Sequence, residues 1–155
     1  MEEIKKILSL VVINESSTLS RITGLFAGRG YNIESLTVAP IINTQYSNIT
    51  IFTKGSIKTI EQISKQLNKL ISVVKVIENN NIIEKEMLLV KFPMNKITEI
   101  KILVEVYNGT ITDIDINSFI IIISDEPKKI KSFIKASKKF NPIKIISGGI
   151  VAIER

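Results

Sequence analysis

Apolar positions along the chain change period repeatedly, and the changes divide it into short elements. Ile7 to Ile13 is an aliphatic run of strand length. The polar stretch Asn14-Glu15-Ser16-Ser17 follows, and its serines are suited to capping a helix. Leu19, Ile22 and Phe26 then recur at helical spacing, with Leu25 beside them. This helix is expected to end at Gly28-Arg29-Gly30, because glycine suits the left-handed residue after a helix. Ile33 to Ala39 and Ser47 to Thr53 alternate as strands across a loop holding Pro40 and Asn43. Ile57, Ile60, Ile63, Leu67, Leu70 and Ile71 mark an amphipathic helix, and Val73 to Ile77 reads as another strand. The order is βαββαβ.

After the turn-prone run Asn79-Asn80-Asn81 the pattern restarts. Glu86 to Phe92 is a strand, and Asn95 is placed to cap a helix bearing Ile97, Ile100, Leu103, Val104 and Tyr107. Asn108-Gly109 turns the chain into Thr110 to Ile116, and Asn117-Ser118 turns it again into Phe119 to Ser124. Asp125-Glu126-Pro127 suits the first turn of a helix that buries Ile130, Phe133 and Ile134. Asn141-Pro142 ends that helix. Ile143 to Ile153 supplies the last strand or strands, interrupted by Gly148-Gly149. Tyr31-Asn32 and Tyr107-Asn108 fall at comparable places in the two halves. The chain therefore reads as two α+β modules, residues 1–78 and 86–155, joined by a linker over 79–85.

A chain of 155 residues with 45% hydrophobic and 23% charged positions has the composition of a globular protein. Its absences change the picture more. With no Cys there is no thiol nucleophile, disulfide or thiolate-held metal. With no His, the usual acid–base group near neutral pH and the commonest transition-metal ligand are both missing. The net charge of +6 invites a nucleic-acid reading, but only Arg21, Arg29 and Arg155 are arginines. The densest lysines, at 128, 129, 131, 135, 138 and 139, read as the solvated face of one helix. The RNA-binding version of a βαββαβ module stacks bases on aromatic residues of two central strands, and here those strands are aliphatic apart from Phe52. Neither nucleic acid nor membrane is an expected partner. The acidic start Met1-Glu2-Glu3 is unlike a signal or transit peptide, and the apolar run Phe119 to Ile123 is far short of the ~20 residues that span a bilayer.

No catalytic constellation emerges. Asp113 and Asp115 alternate on one expected strand, which places both carboxylates on one side, but no further acidic residues accompany them as a metal site requires. Gly24, Gly28 and Gly30 lack the Lys-Ser/Thr of a phosphate loop. The remaining concentration of polar residues is Asn14 to Thr18 entering the first helix and Tyr31-Asn32 entering the next strand. A helix N-terminus offers free N–H groups to a carboxylate, and asparagine both donates and accepts, so the pair could hold the zwitterionic head of an amino acid. Ordinary capping and turn asparagines would give the same pattern.

The run Asn14-Glu15-Ser16-Ser17-Thr18-Leu19-Ser20-Arg21, then Gly24-Leu25-Phe26, then Arg29 to Val38, resembles the small regulatory subunits of acetolactate (acetohydroxyacid) synthase. Gly30 to Val38 is the most specific part. Leu67-Asn68-Lys69-Leu70 and Glu86 to Lys91 fit as well, and the likeness loosens after residue 95. The resemblance implies two tandem ferredoxin-like domains, an ACT domain followed by a related one, each an antiparallel sheet with helices on one face. It implies a chain without catalysis that activates a catalytic large subunit and makes it sensitive to valine, in branched-chain amino-acid biosynthesis. Thiamine diphosphate, magnesium and FAD would belong to that partner, with no cofactor in this chain. Valine would sit between paired ACT domains of a homodimer. Its contacts would be the side chains of Asn14 and Asn32, the backbone at Ser17, Thr18 and Leu19, and apolar Ile33. The compartment would be the cytoplasm, or the plastid stroma for a plastid-encoded chain.

Two departures stand out. The family usually has glycine where this chain has Ser17, and a left-handed φ there would strain serine by about 1 kcal/mol. Near the C-terminus an Arg-Ser/Thr-Gly motif is replaced by Ser147-Gly148-Gly149. The competing reading is a free-standing amino-acid sensor acting on some other enzyme.

Overall fold

The computed structural model describes residues 3–78 and 81–155. The chain runs β1 (Ile4–Ile13), α1 (Ser16–Arg29), β2 (Asn32–Pro40), β3 (Tyr46–Gly55), α2 (Ile57–Asn68), β4 (Val73–Ile77), β5 (Ile82–Pro93), α3 (Ile97–Val106), β6 (Thr110–Ile114), β7 (Ser118–Asp125), α4 (Pro127–Ser137) and β8 (Lys144–Glu154). Short 3-10 turns, Met94–Lys96 and Lys138–Phe140, precede α3 and follow α4. Two four-stranded sheets result, in the orders β2-β3-β1-β4 and β6-β7-β5-β8. This is the βαββαβ pattern twice over.

In the first sheet the alternation of β1 and β3 does the sorting. Leu8, Leu10 and Val12 point to one side with Ile49 and Ile51, and bury against Ile22 and Phe26 of α1 and Ile60, Ile63 and Leu67 of α2. Ile7 and Phe52 lie on the opposite side. There they pack with Ile150 and Ala152, both nearly fully buried. Thr37 Oγ1 donates to the carbonyl of Ile150 at 2.8 Å, and the N–H of Ala152 donates to Thr50 Oγ1 at 3.4 Å. The first compact unit accordingly runs to Ile83 and also includes Ile150–Arg155; the second is Glu84–Gly149.

The core of the second unit is richer in aromatic rings. Phe92 stacks on Phe119 with centroids 5.7 Å apart, and Tyr107 meets Phe133 edge-on at 5.3 Å. Leu88, Val90, Ile121, Ile123, Ile100 and Ile130 complete it. At the N-terminus of α4, Asp125 accepts from Lys85 at 3.0 Å, from Lys129 at 3.3 Å and from the Glu126 N–H at 2.8 Å. That backbone N–H, with the two lysines, lowers its carboxyl to about 2.

Several local expectations change. Asn79 and Asn80 of the expected linker lie outside the described residues, and β5 starts at Ile82, so 82–85 are strand. The cap of α1 is Glu15, without a side-chain bond, so Ser16 and Ser17 are already helical. Likewise Lys96, not Asn95, precedes α3, because residues 94–96 form a 3-10 turn first. Ile71 is exposed because α2 ends at Asn68, before the helical face reaches it. Asp113 and Asp115 do not share a strand face: β6 ends at Ile114, and Asp115 turns back to accept the Ile116 N–H. Gly148 and Gly149 do not split the last strand, which continues through Gly149 at φ 80°.

The Tyr-Asn match between the halves is also out of register. Gly30 has φ 67° and Asn108 φ 53°, so Asn108 takes the place of Gly30 as the left-handed residue after the helix. The next N–H confirms the alignment. Tyr31 donates to Phe26 O, five residues back, and Gly109 donates to Val104 O in the same way.

Candidate functional site

Asn14 follows the last residue of β1 and is exposed, with its N–H donating to Gln45 O at 3.0 Å. The turn it opens is fixed by Thr18. That side chain is buried, and its hydroxyl donates to Ile13 O at 2.9 Å while its N–H reaches Glu15 O at 3.1 Å. The Thr18 amide is thus engaged within the chain. The earlier amides of the first turn, at Ser16 and Ser17, are those a helix leaves without an internal partner. Ser17 sits in right-handed helix, outside the positive-φ residues Asn43, Asn108 and Asn141, so no left-handed strain arises there. Leu19 is partly exposed one position beyond Thr18.

Asn32 opens β2 at the other end of α1, also exposed. Its main-chain carbonyl accepts from the Thr53 hydroxyl. Its side-chain Nδ2 donates to Glu34 Oε1 at 2.6 Å, and Glu34 Oε2 lies 2.9 Å from Lys54 Nζ. The Lys54 ammonium holds the Glu34 carboxyl below the usual carboxylate range. Glu34 reaches both groups because β2 carries a bulge: Ile33 pairs with Thr53 and Ser35 with Phe52, which leaves Glu34 outside the ladder. Ile33 is half-buried against the first core.

Strand register places the two asparagines far apart within one chain. Ile13 lies opposite Tyr46 of β3, whereas Asn32 lies opposite Lys54. Eight residue steps along β3 separate those positions, about 26 Å at ~3.3 Å per residue. Asn14, Ser17, Thr18 and Leu19 therefore gather at one end of the sheet, and Asn32 and Ile33 at the other. The strand between them, β2, is an edge, paired on one side only. Sequence reasoning did not find Glu34 and Lys54. The two-residue step from Asn32 to Glu34 was visible, but the link to Lys54 needs the register.

Among the described residues no cluster of three or more His, Cys, Asp or Glu is close enough to hold a metal ion, and no helix is long and apolar enough to cross a membrane. Two βαββαβ sheets, the first with a polar helix start at one end and an exposed asparagine at the other, define an ACT-like regulatory fold. Residues 8–75 match the family of ACT domains like that of the acetohydroxyacid synthase small subunit, and residues 85–155 match the small subunit of acetolactate synthase. The acetolactate synthase small subunit of Buchnera aphidicola (subsp. Schizaphis graminum) is 44% identical over 97% of this chain and 99% of its own. The small subunit of acetolactate synthase isozyme 3 from Escherichia coli is 37% identical, over 97% and 96%. The crystal structure of the Thermotoga maritima small subunit superposes with a TM-score of 0.88 at 36% identity, over 98% of each chain. The chain belongs to the acetolactate synthase small-subunit family. Membership implies a regulatory role in branched-chain amino-acid biosynthesis and a catalytic subunit as partner.

Proposed function

We propose that this chain binds valine between the first units of two copies, activates the catalytic subunit and makes it subject to feedback inhibition. The carbon–carbon chemistry, with thiamine diphosphate, magnesium and FAD, resides in that other chain, and the setting is the cytoplasm or a plastid stroma. The ligand's contacts are Asn14, the backbone about Ser17, Thr18 and Leu19, Asn32 and Ile33, all within residues 1–78, the ACT domain of this reading. Residues 86–155 form the companion domain.

One observation supports this reading above the rest: the two asparagines sit at opposite ends of one sheet, with an unpaired edge strand between them. A free amino acid spans only a few ångströms, so no single chain can close both halves of the site on it. A two-fold pairing of β2 with β2 of a second copy solves this. Antiparallel strands place the Asn32 end of one copy beside the Pro40 end of the other. Pro40 neighbours Ser47, which neighbours Val12, two residues before Asn14. Each dimer would then hold two equivalent sites, each with Asn32 from one copy and Asn14 from the other. Pairing would also cover an edge that otherwise presents unsatisfied backbone groups.

Mixing tests this directly. Asn14→Ala and Asn32→Ala chains, each alone, lack an intact site, but their mixed dimer regains one. Calorimetric titration should show tight valine sites returning after the two variants are mixed and exchanged. If no tight site returns although the mixed dimer has formed, the shared site is wrong. Added to the catalytic subunit, the wild-type chain should raise turnover and valine should lower it.

A further inference from the structure

An asparagine amide offers a donor on one side and an acceptor on the other, and the two are interchanged by a half-turn of the group. In a site for amino acids that choice matters, because an α-ammonium only donates while an α-carbonyl only accepts. At Asn32 the choice has been made by its neighbour. Glu34 is ionised and can only accept, so the amide must turn Nδ2 toward it, at 2.6 Å. Lys54 secures the other oxygen of the same carboxylate at 2.9 Å. The bulge in β2 is what frees Glu34 to make both contacts.

We propose that Glu34, held by Lys54, is a positioning residue that fixes Asn32 Oδ1 as the outward-facing acceptor for the α-ammonium of the bound amino acid. The inference rests on the placement of Asn32 in the valine site proposed above. The carboxylate of the ligand then belongs at the other half of the site, where Asn14 and the first-turn amides of α1 supply donors. A 2-oxo acid with the same side chain is rejected, because its carbonyl oxygen would meet Asn32 Oδ1, acceptor against acceptor.

The test compares valine with 3-methyl-2-oxobutanoate on the full-length chain, by calorimetry and by competition. Glu34→Gln keeps the size of the side chain but lets Asn32 turn either way. Valine should weaken about tenfold, the cost of degrading one charge-assisted hydrogen bond, and the preference for valine over the oxo acid should narrow. Lys54→Met should shift both in the same direction by less. The Asn32 side-chain amide protons should move in the nitrogen-correlated NMR spectrum of Glu34→Gln, while core resonances stay in place. Equal weakening of both ligands, or no change in either, overturns the role of Glu34 if Asn32→Ala still weakens valine. Undiminished valine binding in Asn32→Ala overturns the site itself.

Discussion

The two units share strand order, helix placement and the left-handed turn after the first helix, yet differ where the first strand hands over to that helix. In the first unit β1 ends at Ile13 and only Asn14-Glu15 separate it from α1, with Thr18 tying the turn to Ile13 O. In the second, β5 ends in Pro93 and a 3-10 turn intervenes, with the Met94 N–H donating to Asn117 O. The second strand differs too. Asn32 stands at the mouth of β2, whereas Asn108 of the second unit is taken up as the left-handed residue just after α3. One scaffold thus keeps its polar ends available and the other spends them on its own turns. What the second unit has instead is a ring-filled core and the Asp125 cluster. The lesson is that a repeated fold need not repeat the polar groups at its ends.

The largest expected effect breaks the second unit alone. Phe133→Ala removes a fully buried ring in contact with Tyr107 and should cost about 3–5 kcal/mol of that unit's stability. Valine titrated at a temperature where the chain stays folded should bind nearly as before. Truncation after Gly149 reaches the first unit instead, while also shortening β8 of the second sheet. It strips Ile150 and Ala152 from Ile7 and Phe52 and should destabilise the first unit by about 2–4 kcal/mol, read by hydrogen exchange at amides of β1 and β3. A fragment of residues 1–78 lacks the same cover. Asn14→Ala or Asn32→Ala, each removing a bond to a charged group, should weaken valine by about 10- to 150-fold, or 1.5–3 kcal/mol. Both residues are exposed, so the melting midpoint should barely move. The smallest effect is one of pH. Asp125 is held near 2 in the folded chain, below its unfolded value, so its contribution is complete above pH ~4. It fades as pH falls from there through about 2. With half-exposed lysines as partners the loss should be on the order of 1 kcal/mol, and Asp125→Asn should flatten that part of the second unit's acid titration.

Much of this architecture is written in local periodicity. The alternation of Leu8, Leu10 and Val12 and the helical spacing of Ile60, Ile63 and Leu67 specify both the elements and the faces they bury. Helix starts were less legible. Serine at 16 and 17 and asparagine at 95 have strong capping tendencies, but Thr18 and the 3-10 turn shift each start by a residue or two. Asn14 and Asn32 could be named from the sequence; their separation could not, since it follows from register across three strands. The Glu34–Lys54 pair and the packing of Ile150 on Ile7 lie further still from local pattern. They join residues 20 and 143 positions apart.

That last contact has a bearing on how the protein is made. Synthesis runs from the N-terminus, so Ile150 emerges 143 residues after Ile7, the residue it covers. The first unit therefore begins to form before the second and is completed only after it. Until then the side of that sheet bearing Ile7 and Phe52 stays open to water and to other nascent chains. Loss of Ile150 and Ala152 would therefore be felt at the opposite end of the sequence, on the strand that holds Ile7.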